Sequence, residues 1–502
     1  MPDFSFLRPR RAVGAMLSEL AATAGLRLDG PDPRVTSVTV SDREVEPGGL
    51  FAALPGRGAH GADFVDRARA AGAVAVLTDE DGARRVDGLP VLVAPDPRRV
   101  LGPVAARVYG TDSARPPLFG VTGTNGKTTT VHLLTAVLEQ LGRRVGHSST
   151  ATRRSGPVEI ASRLTSPEAP EVHALLARMV EDGVDAAALE VSAQALTRHR
   201  VDGLRFEVAG FTNLSHDHLD DYADMDEYLR AKARLLRPEL SERAVLLLDS
   251  PAGERMRDLA EVPVVTVASV PRTDADWRVD VLEATSTGTA FRLSGPDGSL
   301  TTSVPLVGRH MAADAGLALV MLLSAGHPFA ALAEAVRDGI DAHVPGRSLL
   351  VSGERGPRVY LDFSHTPDSI EKTVAALREV TPGRVIVVLG ADGDRDPSKR
   401  GPMGRAAAEG ADVVVVTDHH PRSEDPARIR RALLDGARDG SDVREIAEPA
   451  EAIRSALGSA TDSDSVLWVG PGDTDYRLVR GVEVPYSPRL DAREALAELG
   501  WG

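Results

Sequence analysis

The chain has 502 residues and no cysteine. This absence excludes disulfide bonds and thiolate metal ligands, and it favours the reducing environment of the cytoplasm. No apolar run approaches the ~18 residues that are needed to cross a bilayer. The first residues, MPDFSFLRPRRA, lack the apolar core of a secretory signal peptide. We therefore expect a cytoplasmic protein that has no membrane partner.

Basic residues are in the minority. Lysine and arginine together number 58, against 73 aspartate and glutamate residues, and the formal net charge is -15. Because nucleic-acid binding requires clustered cations that neutralise phosphates, no nucleic-acid partner is expected. An N-K-x-D motif for guanine recognition is missing as well, which argues against a GTPase switch. The length corresponds to about three domains, and we expect a monomer that acts on small molecules.

A glycine-rich loop between a strand pattern and a helix pattern is the most informative segment. The run GVTGTNGKTTT at 120–130 follows a short apolar stretch and precedes an amphipathic segment at 131–141. In such a loop, backbone N–H groups surround a phosphate at the positive end of the helix dipole. Lys127 can reach the β- and γ-phosphates, and the Thr128 hydroxyl can ligate Mg²⁺. The alternative is a glycine turn before an ordinary helix, since position 121 is Val rather than the Gly of the strict pattern. We predict a nucleoside triphosphate site formed by Gly123, Thr124, Asn125, Gly126, Lys127, Thr128 and Thr129.

Apolar segments alternate with helical patterns along the chain, which predicts an α/β protein with mostly parallel, doubly wound sheets. A linker at 111–117 and the run HVPGR at 343–347 divide it, and we place domains at 1–112, 113–343 and 344–502. The middle domain has strand patterns at 119–122, 186–191, 207–212 and 244–248, then an antiparallel segment at 282–307 and a helix at 312–325. The third domain has strand patterns at 359–363, 385–389, 413–417 and 466–469.

Three titratable positions in the middle domain are candidates for chemistry. Glu190 ends an apolar strand pattern, and an acid beside a phosphate loop can hold Mg²⁺, although such an acid is often merely solvated. His218 belongs to the cluster SHDHLDD at 215–221, which follows a strand and is otherwise a polar loop. Lys232 lies in a helix pattern at 226–236, where a lysine alone is usually a surface residue.

Several motifs, in this order along the chain, together carry a resemblance. They are G-x-T-G-T-N-G-K-T, E-V-S, T-N-L-x-x-D-H-L-D, Y-x-x-A-K, V-P-G-R and D-F-S-H-T-P-D. From about residue 35 to the C-terminus, the chain resembles the Mur ligase family. The resemblance implies an N-terminal substrate-binding domain of the UDP-sugar type, a central phosphate-loop ATPase domain, and a C-terminal Rossmann-like domain that brings the amino acid.

The resemblance also implies roles for individual residues. Lys127, Glu190, His218 and Lys232 match catalytic positions, with Thr128, Glu190, His218 and a carbamylated Lys232 as metal ligands. Arg347 and Asp362 match C-terminal residues that meet ATP once the domains close. Thr165, Ser166, Ser192 and Arg200 match residues that hold the muramoyl-peptide substrate. ATP and Mg²⁺ are the cofactors implied.

The predicted amino-acid pocket departs from the family pattern. The signature D-N-P-R appears as His419, His420, Pro421 and Arg422, and the terminal G-K-G-H-E appears as GPGDT at 470–474. Arg422 can still pair with a carboxylate, but the acids that would receive a distal ammonium are gone from positions 419 and 474. We therefore predict that His419, His420 and Arg422 bind the amino acid, and that meso-diaminopimelate is a poor substrate. A metal site at the two histidines is the alternative, but no third ligand is obvious.

These patterns predict an enzyme that forms an amide bond between a carboxylate acceptor and an amino acid through an acyl phosphate. The resemblance implies UDP-N-acetylmuramoyl-L-alanyl-D-glutamate as the acceptor, and hence a role in peptidoglycan synthesis. Two alternatives remain open at this point. One is a Mur-like peptide ligase of a natural-product pathway with another acceptor. The other is a non-catalytic nucleotide-binding protein, against which the presence of Lys127, Glu190, His218 and Lys232 argues.

Overall fold

The computed structural model describes residues 7–56, 58–271, 274–438 and 442–501. Residues 1–6 and 502, at the outer ends of the first and third predicted domains, lie outside the described residues. The N-terminal region contains β1 (Ala15–Met16), α1 (Leu17–Ala24), β2 (Arg27–Asp29), β3 (Arg34–Val35), β4 (Ser37–Thr39), β5 (Gly49–Ala52), α2 (Val65–Ala70), β6 (Ala73–Thr78), α3 (Glu80–Ala83), β7 (Val91–Val93) and α4 (Pro97–Tyr109). Its main sheet has the order β2-β7-β6-β5-β4, and β1 pairs with β3.

Helix α4 shows how the sequence sets these bounds. The Asp96 side chain accepts a hydrogen bond from the Arg98 N–H, and Pro97 occupies the first helical turn, where its missing N–H has no cost. The helix stops at Gly110, whose φ of 72° is the left-handed conformation that glycine favours. One face of α4 packs on the N-terminal core, which also includes side chains of the following region at 169–177.

The central region is built around one long mixed sheet. Its elements are β8 (Leu118–Thr122), α5 (Lys127–Gln140), β9 (Val145–Ser148), β10 (Thr152–Ser155), β11 (Val158–Ala161), α6 (Ala169–Glu181), β12 (Ala186–Glu190), α7 (Ala193–Thr197), β13 (Val208–Phe211), α8 (Met225–Ala233), β14 (Ala244–Leu247), α9 (Pro251–Leu259), β15 (Val264–Ala268), β16 (Trp277–Thr285), β17 (Gly288–Gly295), β18 (Gly298–Val304), α10 (Arg309–Ser324) and α11 (Phe329–Ala335). The order is β11-β10-β9-β12-β8-β13-β14-β15-β16-β17-β18.

The position of β8 in this sheet fixes the site. β12 and β13 pair with β8 in parallel, one on each side. After β8 the chain first forms β9 to β12 on one side of it, and then places β13 on the other side. Glu190 pairs with Val121, and Phe211 pairs with Thr122, so all three strands end at the same edge. Ligands bind at such a switch point in doubly wound sheets. The predicted antiparallel segment is present as β16, β17 and β18, which extend this sheet.

The C-terminal region is a second doubly wound α/β unit. It contains β19 (Leu349–Leu350), β20 (Arg358–Asp362), α12 (Pro367–Val380), β21 (Val385–Leu389), α13 (Arg400–Gly410), β22 (Val413–Val416), α14 (Pro426–Ala437), β23 (Asp442–Glu445), α15 (Pro449–Gly458), β24 (Ser465–Val469), β25 (Tyr476–Val479), β26 (Val482–Pro485) and α16 (Pro488–Glu498). Its sheet has the order β19-β20-β24-β21-β22-β23 and is parallel except at β19. Each residue of β21 and β22 is buried, as the unbroken apolar runs of these strands require.

The predicted α/β architecture is therefore confirmed. The bounds of the eight predicted strand patterns of the middle and third domains agree to within one residue, whereas the antiparallel segment, predicted at 282–307, begins at Trp277 and ends at Val304. Two hairpins, β10–β11 and β25–β26, did not stand out in the sequence, because their strands are short and largely polar or half-exposed. Within the described part of the chain, no helix combines the length and apolar character that crossing a membrane requires.

Candidate active site

The glycine-rich loop joins the end of β8 to the start of α5, as predicted. Residues 123–126 form the turn, and α5 begins at Lys127. The Lys127 ammonium donates hydrogen bonds to the carbonyl oxygens of Gly123, at 3.1 Å, and Thr124, at 2.8 Å. It therefore lies over the loop, where the phosphate oxygens of a nucleotide bind in phosphate-loop proteins.

Lys232 is buried beneath this loop, so its interpretation as a surface residue is wrong. It is 1% exposed, and its ammonium donates to the Gly123 carbonyl oxygen at 2.7 Å. The Tyr228 ring lies 4.1 Å from the nitrogen. Burial, and then the charge of Lys127, lower the pKa of Lys232 well below its usual value. This shift favours the neutral amine, which is the form that reacts with carbon dioxide to give a carbamate.

Glu190 is held in place by a residue that the sequence did not single out. Its Oε2 accepts hydrogen bonds from the Thr150 N–H, at 2.8 Å, and the Thr150 hydroxyl, at 2.5 Å. Its Oε1 is buried and lacks a hydrogen-bond partner among the described residues. A buried carboxylate oxygen without a partner is unusual, and it fits the position of a metal ligand.

His218 has a backbone φ of 56°, and its Nε2 lies 3.5 Å from Asp217. Burial lowers the pKa of His218 to about 4, so its imidazole is neutral near pH 7 and has a lone pair to offer. Burial alone would raise the pKa of Asp217. A hydrogen bond to His365 and the nearby Lys399 and His218 instead hold that pKa well below its usual value.

The four predicted acceptor-binding residues lie together beside Glu190. The Ser166 hydroxyl donates to the Glu190 carbonyl oxygen at 2.9 Å and accepts from the Ser192 N–H at 3.0 Å. Arg200 donates to the Ser166 carbonyl oxygen at 3.2 Å. The Thr165 hydroxyl lies 3.0 Å from that of Thr150. The predicted acceptor-binding residues and the metal-ligand candidate Glu190 therefore belong to one hydrogen-bond network.

The C-terminal region contacts the phosphate loop directly. The Arg347 guanidinium donates to the Thr128 hydroxyl at 3.0 Å, and Asn125 donates to Asp368 at 3.0 Å. Asp362 is buried, and its carboxylate accepts hydrogen bonds from the N–H groups of Ser348 and Ser364, each at 2.7 Å. Asp362 therefore braces the turns that present Arg347, rather than reaching into the loop itself.

A second contact between the central and C-terminal regions was not predicted from the sequence. The Lys399 ammonium donates to Asp217 at 2.9 Å, and both side chains are buried. No local pattern marks this pair, because its members are 182 residues apart in the sequence and meet only through the packing of two regions.

The predicted amino-acid pocket lies at the ends of β21 and β22. His419 and His420 are 5% and 6% exposed, and their rings lie 4.1 Å apart. The carboxylate of Asp392, which the sequence did not single out, lies beside them. Asp392 lies 3.2 Å from Arg422 and 3.5 Å from His419. The carboxylate missing from positions 419 and 474 is thus present at 392, which removes the reason for expecting diaminopimelate to be a poor substrate.

The hydrogen bond of His420 disfavours a metal at this cluster. Its Nδ1 accepts from the Leu478 N–H at 2.9 Å, so in the neutral ring the proton is on Nε2. Nε2 is then a donor, not a metal ligand. Although Asp392, His419 and His420 lie within ligand distance of one another, this hydrogen bond instead favours recognition of a carboxylate.

One cleft connects these groups. It is lined by Thr124, Asn125, Gly126, Lys127, Thr128, Thr129, Thr165, Ser166, Ser192, Arg200, His218, Arg347, Asp362, His419, His420 and Arg422. Behind the wall of this cleft lie Gly123, Glu190 and Lys232. Hydrogen bonds connect Gly123 to Lys127 and Lys232, and Glu190 to Thr150. The predicted nucleotide, acceptor and amino-acid residues therefore surround a common space.

Comparisons with known proteins agree with this arrangement. The family described as Mur ligase family, catalytic domain, matches residues 34–109. The Mur ligase middle domain matches 121–322, and the Mur ligase glutamate ligase domain matches 346–472.

Similar proteins cover the chain from end to end. A UDP-N-acetylmuramyl-tripeptide synthetase from Leifsonia xyli subsp. xyli is 54% identical over 100% of this chain and 99% of its own length. A UDP-N-acetylmuramoyl-L-alanyl-D-glutamate–2,6-diaminopimelate ligase from Streptomyces avermitilis is 41% identical over 98% of both chains. The solved structure of a ligase with the same name superposes with a TM-score of 0.67 at 27% identity, covering 97% of this chain and 100% of that one.

Proposed function

The chain belongs to the Mur ligase family and is an ATP-dependent acid–amino-acid ligase, and we propose that it adds an amino acid to UDP-N-acetylmuramoyl-L-alanyl-D-glutamate. This acceptor is the one in the name of the Streptomyces relative. The single observation that carries the proposal is the common cleft, in which the phosphate loop, the Ser166 network and the Arg422 pocket face one another. The product is a building block of peptidoglycan.

The chemistry requires these groups together. The acceptor carboxylate attacks the γ-phosphorus of ATP, the bond to the β-phosphate oxygen breaks, and an acyl phosphate and ADP form. The neutral amine of the amino acid then attacks the acyl carbon, phosphate leaves, and the nitrogen loses a proton. Lys127 offsets the repulsion between the anionic acceptor and the triphosphate. Arg347 and Asn125 bring the two regions together over the loop, and such closure excludes the water that would hydrolyse the acyl phosphate.

We propose that Mg²⁺ is held here by Thr128, Glu190 and His218, with a carbamylated Lys232 at a second ion. The unpartnered Oε1 of Glu190 and the neutral imidazole of His218 fit such a role. When bound, Mg²⁺ neutralises charge on the phosphate oxygens. We also propose that the domains divide at 112/113 and 343/344, and that Thr165, Ser166, Ser192 and Arg200 bind the acceptor. Arg347, braced by Asp362, completes the nucleotide site.

The test is an assay of phosphate release and product mass with the full-length protein. It combines ATP and Mg²⁺ with UDP-N-acetylmuramoyl-L-alanyl-D-glutamate or an acceptor that lacks UDP, and with a panel of amino acids. Release that needs the UDP-linked acceptor and an amino acid, with the mass of an amide product, supports the proposal. Activity restricted to the other acceptors would favour the natural-product ligase, and ATP binding without any release would favour a non-catalytic protein.

A further inference from the structure

Asp392 occupies a fixed position inside the amino-acid pocket. It follows the end of β21, and its loop is tied to the loop after β22, because the Gly393 N–H donates to the His420 carbonyl oxygen at 2.8 Å. The Arg400 guanidinium donates to the Asp392 carbonyl oxygen at 3.1 Å. These bonds fix the backbone from which the carboxylate projects, and the ion pair with Arg422 holds the carboxylate itself. Its nearest charged neighbour is Arg422.

Two buried polar atoms around Asp392 lack hydrogen-bond partners among the described residues. In the part of the chain that the structure describes, neither Nδ1 of His419 nor Nε of Arg422 makes a hydrogen bond, and both atoms are buried. His420 presents Nε2–H as a donor, since its Nδ1 accepts from Leu478. Buried polar atoms are normally satisfied. A pocket with spare donors on one side and a carboxylate on the other is suited to a ligand that carries both charges.

We propose that Asp392 is a specificity-determining residue that binds the second amino group of a diamino acid, while Arg422 and the His420 Nε2–H bind a carboxylate. This inference rests on the proposed function, and what it adds is the residue that recognises the second amine. The amine that attacks the acyl phosphate must be neutral and must keep its lone pair. The ammonium that the half-buried Asp392 carboxylate stabilises is therefore the amine that does not react.

The same geometry disfavours other classes of amino acid. A side chain with a carboxylate alone would place a like charge beside Asp392. A neutral side chain would leave the Asp392 carboxylate and the histidine donors without new partners, and sites built for polar groups discriminate strongly against ligands that lack them. An exchange of partners, in which the ligand's ammonium and carboxylate replace the contact between Asp392 and Arg422, gives new partners to Asp392, Arg422 and the His420 Nε2–H.

Two pairs of amino acids test the proposal, because the members of each pair differ only in the second amine. They are meso-diaminopimelate against 2-aminopimelate, and lysine against norleucine. We expect the wild-type protein to prefer the diamino member of at least one pair, with a kcat/KM about 100-fold higher. The variant Asp392→Asn, which keeps the shape of the side chain, should lose this preference by lowering kcat/KM for the diamino member while sparing the other.

A matched control is Asp435→Asn, which removes an exposed acid that pairs with Arg438 far from the pocket. It should leave the preference intact. If wild type prefers the neutral member of both pairs, or if Asp392→Asn lowers kcat/KM equally for both members, the role of Asp392 is wrong while the ligase activity stands. If no amino acid supports phosphate release with the UDP-linked acceptor, the proposed function itself fails.

Discussion

Lys232 illustrates how position in the fold changes the chemistry of a residue. A lysine on a polar helix pattern is normally exposed, and only the resemblance to a family gave it a role. The structure buries it against Tyr228 and the Gly123 carbonyl oxygen, and the charge of Asp217 only partly offsets the effects of burial and of Lys127 on its pKa. Desolvation then favours the neutral amine. This provides the physical condition for carbamate formation, which would convert a cation into an anion at the nucleotide loop.

Replacing Lys232 by Ala tests this role. We expect phosphate release to fall by about 10²–10³-fold, as when a preorganised charged group is lost from a reacting centre. Added short carboxylic acids should restore part of the activity, because they can occupy the space of the missing carbamate. Rates with and without acetate or propionate give the measurement.

The control is Arg230→Ala, which removes an exposed charge from the same helix. It should remain active and should not respond to the added acids. A fully active Lys232→Ala protein would mean that the buried amine is only structural.

At the scale of elements, the sequence predicted the parts that follow from local pattern. The strand β8, the glycine loop and α5 were found because their signal is contiguous, and the bounds of β21 were predicted to the residue. Glu190 was placed correctly because it ends a strand beside β8. Asp392 was missed, because its partners His419 and Arg422 lie on the next strand's loop and no spacing in the chain connects them. The contact of Asp217 with Lys399 was missed for the same reason.

The loop geometry itself can be tested at Gly123. Its φ is 150°, and a Cβ there would lie 1.9 Å from the Thr212 hydroxyl oxygen at the end of β13. We expect Gly123→Ala to lower the free energy of unfolding by about 2 kcal/mol, through backbone strain and overpacking, and to abolish nucleotide binding. Thermal unfolding with and without ATP and Mg²⁺ measures both effects.

Gly353→Ala is a suitable comparison, since a Cβ at Gly353 meets nothing within 4 Å and its φ is not in the left-handed region. It should unfold like wild type and keep the stabilisation by ATP. If Gly123→Ala also kept that stabilisation, the nucleotide would not bind at this loop.

For the whole molecule, the distribution of lysine is informative. The chain contains only four lysines, Lys127, Lys232, Lys372 and Lys399, and arginine supplies its other basic side chains. Three of the four line the cleft, and Lys232 lies directly behind its wall. A lysine ammonium is a compact charge whose pKa responds to burial, which a guanidinium cannot replace. A chain that uses arginine almost everywhere else has kept lysine at the site that two of its regions share.

This distribution makes a lysine-directed reagent a probe of the cleft. Lys372 pairs with Asp368, which also accepts from Asn125 of the phosphate loop, and its side chain is 45% exposed, against 10% for Lys399. We expect acetylation with N-hydroxysuccinimidyl acetate to reach Lys372 first and to lower phosphate release by about tenfold, because a cation beside the triphosphate is lost. ATP and Mg²⁺ should slow the reaction by occupying the cleft. Peptide mass mapping follows each lysine, and Lys372→Arg, which keeps the charge but cannot be acetylated, should resist inactivation. Complete acetylation of Lys372 without loss of activity would place this lysine outside the working part of the cleft.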